Sequence, residues 1–315
     1  MMVIKPLDID REKLYGYFPI IVQNMICTLV GWNVNRQRYS KTYFETEQRI
    51  LDNTNINMPK LVELQRERIA AHFSASTNSE YWLEQFRTYA VNVDAADPFK
   101  ELAKLPILSK SVVQDNSSRI RNGGYKASEL RTSHTSGTTG AGLILWETAA
   151  ADAERWAVWW RYRHTHGLTK TTPCGYFGGR SIVPICQKRP PFWRYNSASK
   201  QYMFSAYHLS SQTVQDYIDC IKLHELPWLH GYPSVIALLA TLIKDIEPNF
   251  VSPVKVVSIG AESLLPHQKQ LIESVFNCRV IQHYGLAEST ANISECLKGN
   301  LHIDEDLSYV ELVPV

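Results

Sequence analysis

The stretch from Val254 to His283, VKVVSIGAESLLPHQKQLIESVFNCRVIQH, contains two short apolar runs separated by a helical pattern. The runs Val254–Ile259 and Arg279–His283 are typical of strands, and Pro266 is suited to the first turn of a helix between them. The apolar face of that helix consists of Leu271, Ile272, Val275 and Phe276. A strand, a helix and a strand with short connections predict two parallel strands of one sheet.

The carboxyl ends of two parallel strands lie at the same edge of a sheet, where ligands bind in open α/β folds. Here the first strand is followed by Gly260, Ala261 and Glu262, and the second ends at His283 and continues into Tyr284 and Gly285. The pattern therefore predicts a ligand pocket at this edge.

The remainder of the chain predicts an α/β protein in two parts. Residues 1–100 have mostly helical patterns, including a helix beginning at Pro59 and another over Ser79–Val91. The segment LPILSK, Leu105–Lys110, is interpreted as a linker, and strand-like and helical segments alternate after Arg131. We expect a mainly helical N-terminal region over 1–100 and an α/β nucleotide-binding core over 101–315.

Three further amphipathic helices are predicted within the second part. The first is Ala149–His166, with a tryptophan stripe and a final turn rich in bases before Gly167. The apolar positions of the three helices are Trp156, Trp159 and Trp160; Val214, Tyr217, Ile218 and Ile221; and Val235, Leu238, Leu239 and Leu242. Each stripe is interpreted as core packing.

The composition is that of a globular protein with a large core. Of 315 residues, 44% are hydrophobic, and 33 Lys+Arg against 31 Asp+Glu give a net charge of +2. This balance gives no reason to expect nucleic-acid binding. Six cysteines without a CxxC pair are interpreted as reduced thiols, and the first residues do not resemble a secretory signal. We therefore expect a cytoplasmic protein.

The most apolar early stretch, Phe18–Trp32 (FPIIVQNMICTLVGW), is too short to span a bilayer and contains Gln23 and Asn24. It predicts a helix buried in the core. The alternative is an interfacial helix lying on a membrane.

The strongest local motif is TSGTTG, Thr135–Gly140, after the strand-like Leu130–His134. Its two glycines expose backbone N–H groups and its hydroxyls add donors, so the loop can bind a phosphate. An ordinary Ser/Thr/Gly turn is the alternative. The chain contains no Gly-Lys dipeptide for a Walker loop, no GxGxxG, no GxSxG and no HExxH.

A second motif, YGLAE, follows the last predicted strand. Tyr284 offers a face for a purine, Gly285 permits close approach, and the Glu288 carboxylate can bind Mg²⁺. The alternative is a tyrosine that packs in the core and a solvated glutamate. The two motifs are separated by about 150 residues, and together they are far more specific than either alone.

With both motifs, the chain resembles the adenylate-forming (AMP-binding) superfamily, with its TSGTTG phosphate loop and downstream YGxxE. Within it, the chain looks like the phenylacetate–CoA ligase branch, most closely the CapK-type proteins of capsular polysaccharide gene clusters. The resemblance covers nearly the whole chain and includes LPILSK at 105–110, YFGGRSIVP at 176–184, PPFWRYN at 190–196, HGYPSVIALLA at 230–240, IGAESLLPHQ at 259–268 and ECLKGNLHIDEDLSYVEL at 295–312.

The resemblance implies roles for individual residues. The phosphates of ATP would be held by Ser136, Gly137, Thr138, Thr139 and Gly140. The adenosine part would be bound by Gly260, Ala261, Glu262, His283, Tyr284 and Gly285. Thr139 and Glu288 would be the catalytic residues, with Glu288 also the Mg²⁺ ligand. The acid substrate would contact Phe177, Gly178, His208 and Tyr232, a set placed by position in the pattern alone.

The implied chemistry has two steps. A small carboxylic acid attacks the α-phosphate of ATP to give acyl-AMP and pyrophosphate, and a thiol, usually that of coenzyme A, then takes the acyl group. Two alternatives are open: transfer from the adenylate to a sugar or protein, and a non-catalytic nucleotide-binding remnant. A homodimer and a link to polysaccharide assembly enzymes are also open.

The sequence departs from the family pattern in two places. Gly140 is followed by Ala141-Gly142-Leu143, where relatives have Pro and often Lys. The chain ends at Val315, whereas similar proteins continue into a ribose-binding Asp, a hinge and a small C-terminal domain with a catalytic Lys. The resemblance therefore implies a truncated product or a core without that domain, of low activity in isolation.

A metal site involving Cys296 and His302 is conceivable because Glu295 and Asp304 are close in sequence. One Cys and one His do not complete a zinc set.

Overall fold

The computed structural model describes residues 14–134 and 142–313. The described chain before Leu130 contains helices and no strand. These helices are α1 (Ile20–Arg38), α2 (Lys41–Asp52), α3 (Met58–Ser76), α4 (Glu80–Thr88), α5 (Pro98–Leu102), α6 (Lys110–Asp115) and α7 (Ser117–Ile120). Helical structure thus extends past residue 100, and the boundary between two domains stays a prediction.

Side-chain caps determine where several of these helices begin. Ser40, Asn57, Ser79 and Ser109 each accept a hydrogen bond from a backbone N–H in the first turn of the helix that follows. The predicted helix at Pro59 is confirmed as α3, whose buried apolar residues are Leu61, Ile69 and Phe73. The helix predicted over Ser79–Val91 is confirmed in position but ends at Thr88.

Ten strands follow. They are β1 (Leu130–His134), β2 (Ile144–Thr148), β3 (Cys174–Phe177), β4 (Trp193–Asn196), β5 (Gln201–Phe204), β6 (Trp228–Gly231), β7 (Val256–Ile259), β8 (Arg279–Gly285), β9 (Asn292–Glu295) and β10 (Leu301–Ile303). β1 and β2 form an antiparallel pair, and the others form one sheet in the order β10-β9-β8-β7-β6-β3-β5-β4. Strands β5, β3, β6, β7 and β8 are parallel neighbours, and the two flanks are antiparallel, so the sheet is mixed.

The predicted strand–helix–strand unit is confirmed. It consists of β7, helix α11 (Pro266–Phe276) and β8, with Val257 opposite Val280 in a parallel register. β8 is longer than predicted: Arg279 to Gln282 pair with β7, and His283 to Gly285 pair antiparallel with β9. The change of partner occurs at His283, the position where the pocket was predicted.

Together with α2 and α11, three further helices cover the two faces of the sheet: α8 (Ala149–Thr165), α9 (Val214–Leu223) and α10 (Pro233–Ile246). α8 ends as expected, with Gly167 at φ +77° in the left-handed region. The predicted stripe of α10 is confirmed at Leu239, and Val235 and Leu242 are partly buried against the core, but the prediction is wrong for Leu238. The residues that this helix buries include Ile236, Leu239 and Ile243, whereas Leu238 is exposed.

The core has one apolar cluster on each face of the sheet because successive strand residues point in opposite directions. Leu229 and Val257 belong to the cluster under α9, α10 and α11, whereas Trp228 and Val256 belong to the cluster under α8 and α2. A smaller cluster joins Ile69, Phe73 and Phe86 in the N-terminal helices. The architecture is the expected α/β fold with helices on both sides of a sheet.

The prediction that Phe18–Trp32 is buried in the core is wrong. These residues form most of α1, whose apolar side chains Ile21, Leu29 and Trp32 are 74%, 65% and 58% exposed. No helix in the described ranges is long and apolar enough to cross a membrane.

Candidate active site

The carboxyl ends of the parallel strands bring most of the predicted pocket residues to one edge of the sheet. Gly178 follows β3, Tyr232 follows β6, Gly260 follows β7, and His283 lies in β8 at the end of its parallel pairing. Because β3, β6, β7 and β8 run in the same direction, these residues share an edge.

The turn after β7 is closely fitted to its neighbours. A Cβ atom on Gly260 would lie 3.2 Å from Cε1 of His283, so the absence of a side chain lets the imidazole approach the turn. Ala261 has φ +69°, a conformation that L residues rarely adopt. The Glu262 carboxylate accepts a hydrogen bond from the backbone N–H of Ser234, in the first turn of α10, at 3.3 Å. The turn is therefore held in a strained, defined geometry.

The YGLAE segment forms an exposed turn between β8 and β9. The Tyr284 side chain is 54% exposed, and Gly285 and Glu288 are exposed as well. Backbone hydrogen bonds from Leu286 to Ala291 and from Ser289 to Leu286 close the turn. An aromatic face and a carboxylate are thus both available to a ligand at the sheet edge.

The five loop residues predicted to hold phosphate, Ser136, Gly137, Thr138, Thr139 and Gly140, lie outside the described residues, and their roles stay predictions. The strands that flank this loop are described. β1 and β2 pair from Leu130 opposite Thr148 to His134 opposite Ile144, so the loop leaves from the His134–Ile144 end.

Ser289 connects this hairpin to the YGLAE turn. Its hydroxyl donates to Oε1 of Glu147 on β2 at 2.7 Å and accepts from Nη1 of Arg155 on α8 at 2.6 Å. Glu147 is three residues from Ile144, about 10 Å along an extended strand. The contact therefore brings Glu288, the neighbour of Ser289, close to the strand that leads out of the TSGTTG loop.

Buried ion pairs hold the hairpin on α8. Arg155 pairs with both Glu147 and Asp152, and Arg131 of β1 pairs with Asp152. Two guanidinium groups and two carboxylates balance in charge. Such a partly buried network fixes geometry because removing one member would leave another charge unpaired.

Two histidines lie against the pocket and are neutral. His283 contacts the rings of Trp159 and Tyr162 at centroid distances of 5.2 and 5.5 Å. Nδ1 of His230 on β6 lies within hydrogen-bond distance, 2.8 Å, of Oγ of Ser258. The His230 ring stacks on the Tyr176 ring at a centroid distance of 5.5 Å. Burial, reinforced by the charge of Arg163, lowers the pKa of each imidazole to about 3. At neutral pH these rings serve as hydrogen-bonding groups and not as cations.

Arg163 was not singled out as a site residue by the sequence. Its side chain is 5% exposed, and its guanidinium lies 5.1–6.0 Å from the ring centroids of Trp156, Trp159, Trp160 and Trp228. Its Nε has no hydrogen-bond partner among the described residues, and burial lowers the pKa of the group. The sequence contained one signal for this cluster. Arg163 follows Trp156, Trp159 and Trp160 by seven, four and three residues, which places all four side chains on one face of a helix.

The predicted acid-substrate residues fall into two groups. Gly178 and Tyr232 lie close together. A Cβ atom on Gly179, the residue after Gly178, would lie 2.8 Å from the Tyr232 hydroxyl oxygen. The Tyr207 hydroxyl donates a hydrogen bond to the carbonyl of Gly179. The Phe177 side chain is fully buried and stacks on Phe204, so it packs the core and leaves only its backbone near the pocket.

His208 follows β5 at the same edge. Its Nδ1 lies 2.7 Å from Oγ of Ser205, and its ring stacks on Phe192. Its Nε2 is buried without a hydrogen-bond partner among the described residues. A hydrogen-bonding position is therefore open on this ring, and its contact with substrate stays a prediction.

No group of three or more His, Cys, Asp or Glu side chains converges as a metal site in the part of the chain that the structure describes. The Cys296 thiol has its pKa lowered by backbone N–H groups of Asn300 and Lys298 and by His302. Glu288 supplies one carboxylate, which suits Mg²⁺ because this ion is usually held by one or two carboxylates together with substrate phosphates and water.

The chain matches no protein-family model. It is 30% identical over 294 residues to Protein CapK of Staphylococcus aureus, an alignment that covers 92% of this chain and 63% of CapK. The alignment extends over most of the chain, so the chain is similar to CapK along nearly its whole length. It spans less than two thirds of the length of this relative.

Two solved structures share the fold. A 2-hydroxyisobutyryl-CoA ligase in complex with 2-HIB-AMP and CoA in the thioesterification state superposes with a TM-score of 0.57 at 12% identity, over 81% of this chain and 58% of the ligase. An open conformation of that ligase with the same ligands gives a TM-score of 0.51 at 13% identity, over 74% and 55%.

Proposed function

We propose that this chain contains the nucleotide-binding core of an ATP-dependent, AMP-forming enzyme that activates a small carboxylic acid. The observation that carries the proposal is the Ser289 contact with Glu147 and Arg155, because it joins the YGLAE turn to the hairpin of the TSGTTG loop. In this proposal the two motifs, about 150 residues apart in sequence, border one site.

The residues of the site suit the parts of ATP. The exposed Tyr284 ring and the turn at Gly260–Glu262 form an edge on which an adenine can stack, and the unpartnered Nδ1 of His283 offers a hydrogen bond. The loop of Ser136–Gly140 supplies backbone N–H groups and hydroxyls for phosphate. Glu288 would hold Mg²⁺, which neutralises phosphate charge when it is bound.

The reaction begins when a carboxylate oxygen attacks the α-phosphorus. The bond to the pyrophosphate oxygen breaks, and pyrophosphate leaves with the electron pair. The contribution of the protein is positioning and charge neutralisation, so no general base is required. This agrees with the neutral state of His230 and His283, whose pKa values near 3 leave them unable to accept a proton at neutral pH.

In the second step a thiol attacks the acyl carbonyl and AMP leaves. We propose coenzyme A as the thiol, supported by the fold shared with a ligase solved with an acyl-AMP and CoA. The relation to CapK extends the proposal to capsular or other surface polysaccharide biosynthesis, with an acid of that process as substrate.

The test is pyrophosphate release from ATP with a broad panel of carboxylic acids, followed by addition of CoA. We expect binding of ATP with Mg²⁺ and acid-dependent pyrophosphate release. Acid-dependent release without thioester formation would replace CoA by another acceptor, to be sought among sugars and proteins. Absence of ATP binding would contradict the proposal.

The variant Tyr284→Ala should weaken ATP binding about tenfold or more, since base–aromatic stacking contributes about 1–3 kcal/mol. Tyr284→Phe keeps the ring and should bind normally. Tyr89→Ala, at another partly exposed tyrosine, is the matched control. Equal affinity in Tyr284→Ala would remove Tyr284 from the adenine site.

A further inference from the structure

Helix α1 packs on the protein through its polar face. Gln23 accepts from Nε of Arg194, Asn24 from the backbone N–H of Tyr195, and Thr28 from the backbone N–H of Ser197. One turn before the end of the helix, Asn35 donates to the carbonyl of Ala198. All of these partners belong to β4 or to the turn after it.

The helix approaches this strand closely. A Cβ atom on Gly31 would lie 2.2 Å from Oδ1 of Asn196, so only glycine permits the contact. From Asn24 the inward positions Thr28, Gly31 and Asn35 follow at four, three and four residues, and Gln23 lies beside Asn24 on the same face. The orientation of α1 is therefore set by hydrogen bonds and a glycine contact.

The opposite face of α1 exposes the apolar side chains of Ile21, Met25, Leu29 and Trp32, and the segment just before the helix exposes those of Leu14, Tyr17 and Phe18; together they are called the apolar ridge. From Ile21 onward the spacing is four, four and three residues, which is one face of a helix. A surface helix of a globular protein ordinarily has the reverse polarity. A contiguous apolar surface of this kind marks an interaction site.

Positive charge lies at both ends of the apolar ridge. At the C-terminal end, the Arg36 guanidinium lies over the Trp32 ring at 5.4 Å, and Lys200 is exposed next to Ser199, which Asn35 contacts. Residues 14–38 include no Asp or Glu.

At the N-terminal end, the ridge meets the loop of residues 184–191. A Cβ on Gly16 would contact Pro184 at 3.4 Å, and the loop exposes Ile185, Lys188 and Arg189. Arg194, which bonds Gln23, also bonds Gln187 of this loop, so the loop and α1 are held together. Ile185 thus continues the apolar surface, and the basic side chains of Lys188 and Arg189 flank it.

We propose that the apolar ridge binds the surface of an anionic lipid bilayer, with α1 lying in the membrane plane. Its apolar side chains would enter the boundary between headgroups and acyl chains, and the bases at both ends would contact lipid phosphates. A tryptophan beside an arginine at the end of the ridge suits this boundary. The proposal does not depend on the reaction that the site catalyses.

Charge argues against a second copy of the chain as the occupant. A two-fold contact through the ridge would place each basic end opposite a basic end of the partner, whether the two helices ran parallel or antiparallel. With no acid on α1 to offset them, these like charges would disfavour the pair. An anionic surface complements both ends at once.

The test is co-sedimentation of the 315-residue chain with vesicles. One set consists of phosphatidylcholine and the other of equal parts phosphatidylcholine and phosphatidylglycerol. We expect strong binding to the anionic vesicles, weak binding to the neutral ones, and a decrease with added salt. The double variant Ile21→Gln/Leu29→Gln should lose at least tenfold in partitioning.

The matched control is Leu223→Gln/Val251→Gln, which replaces two apolar residues that are equally exposed elsewhere. It should bind like the original chain. Both double variants remove only exposed apolar area, and circular dichroism and thermal unfolding verify that they fold. If the ridge variant fails to fold, the double variant Arg36→Gln/Lys188→Gln replaces it, because it leaves the apolar side chains in place. This variant should reduce binding of the chain to anionic vesicles at least twofold.

Several results would overturn the proposal. They are absence of sedimentation with anionic vesicles, equal binding to both vesicle types, and unchanged binding of the ridge variant. A chain that is dimeric by light scattering, becomes monomeric in the ridge variant and ignores vesicles would assign the ridge to a second copy instead.

Discussion

The Ser289 hydroxyl donates a 2.7 Å hydrogen bond to Oε1 of Glu147, and this contact joins the turn after β8 to strand β2. Ser289 has φ +60°, so the chain accepts an unfavourable backbone conformation at the position that makes the contact. Glu147 is held in turn by Arg155. The relationship joins Ser289, the residue after Glu288, to the hairpin that flanks the TSGTTG loop.

We predict that Ser289→Ala weakens ATP binding about tenfold, because a hydrogen bond to a charged group contributes about 1.5–3 kcal/mol and the two motifs would no longer be joined by it. The measurement is isothermal titration calorimetry with Mg²⁺. Ser274→Ala is the control, since the Ser274 hydroxyl bonds only within α11. Equal affinities in both variants would show that the contact does not position the site.

We predict that Glu288→Gln weakens Mg²⁺-dependent ATP binding and leaves the fold intact. A neutral amide is a poor ligand for a hard cation, and an exposed turn carboxylate contributes little to the core. Titrations with Mg²⁺ and with EDTA measure the effect. Glu67→Gln, at an exposed carboxylate on α3, is the control. If ATP binding in Mg²⁺ is unchanged, Glu288 is not the metal ligand.

We predict that Gly137→Val/Gly140→Val abolishes phosphate binding, because side chains there would keep phosphate from the backbone N–H groups. The far-UV circular dichroism spectrum should stay near that of the original chain. An unchanged affinity for ATP would show that TSGTTG is an ordinary turn.

We predict that stability falls as pH decreases from about 6.5 toward 3. His230 and His283 have pKa values of about 3 in the folded chain, whereas an unfolded histidine has about 6.5, so the unfolded state binds more protons in this window. Between pH 6.5 and 5.5 the pair should lower the free energy of unfolding by about 2 kcal/mol. Denaturant unfolding of the original chain, His230→Gln and His283→Gln measures this, and equal slopes in all three would contradict the assignment.

We predict that Arg163→Met raises the pKa of both imidazoles, because a buried like charge disfavours their protonated forms. Histidine titration by NMR measures the shift directly. Arg36→Met, which removes an exposed arginine of α1, should leave both titrations in place. Unchanged values in Arg163→Met would mean that burial alone keeps the rings neutral.

Much of the fold could be predicted from local patterns. The strand–helix–strand unit of β7, α11 and β8 was predicted because its periodicities and Pro266 act within a few residues of each other. In the stripe of α10, Leu239, Val235 and Leu242 pack in or against the core as predicted, whereas Leu238 is exposed and Ile236 is buried. Leu238 shares its face with the exposed Ser234 and Thr241, so the polar positions of this helix mark the face that the core leaves uncovered.

The site was predicted in part for the same reason. Placing Gly260 and His283 at one sheet edge required only the parallel pairing of two strands. The roles of Arg163 and His230 were missed because they depend on contacts with tryptophans and with each other across more than sixty residues. Phe177 was assigned to the pocket by its position in the family pattern alone, but the alternation of side chains along β3 turns its ring into the core.

The sequence by itself determined much of the strand and helix pattern and contained the two motifs on which the family resemblance rests, because these depend on neighbouring residues. Only the tertiary structure decided which partners distant residues meet. It joined Ser289 to Glu147, enclosed Arg163 among four tryptophans, and turned the polar face of α1 inward onto β4. A helical pattern states which residues share a face, whereas the direction of that face is decided by the hydrogen bonds and close contacts that the rest of the chain offers.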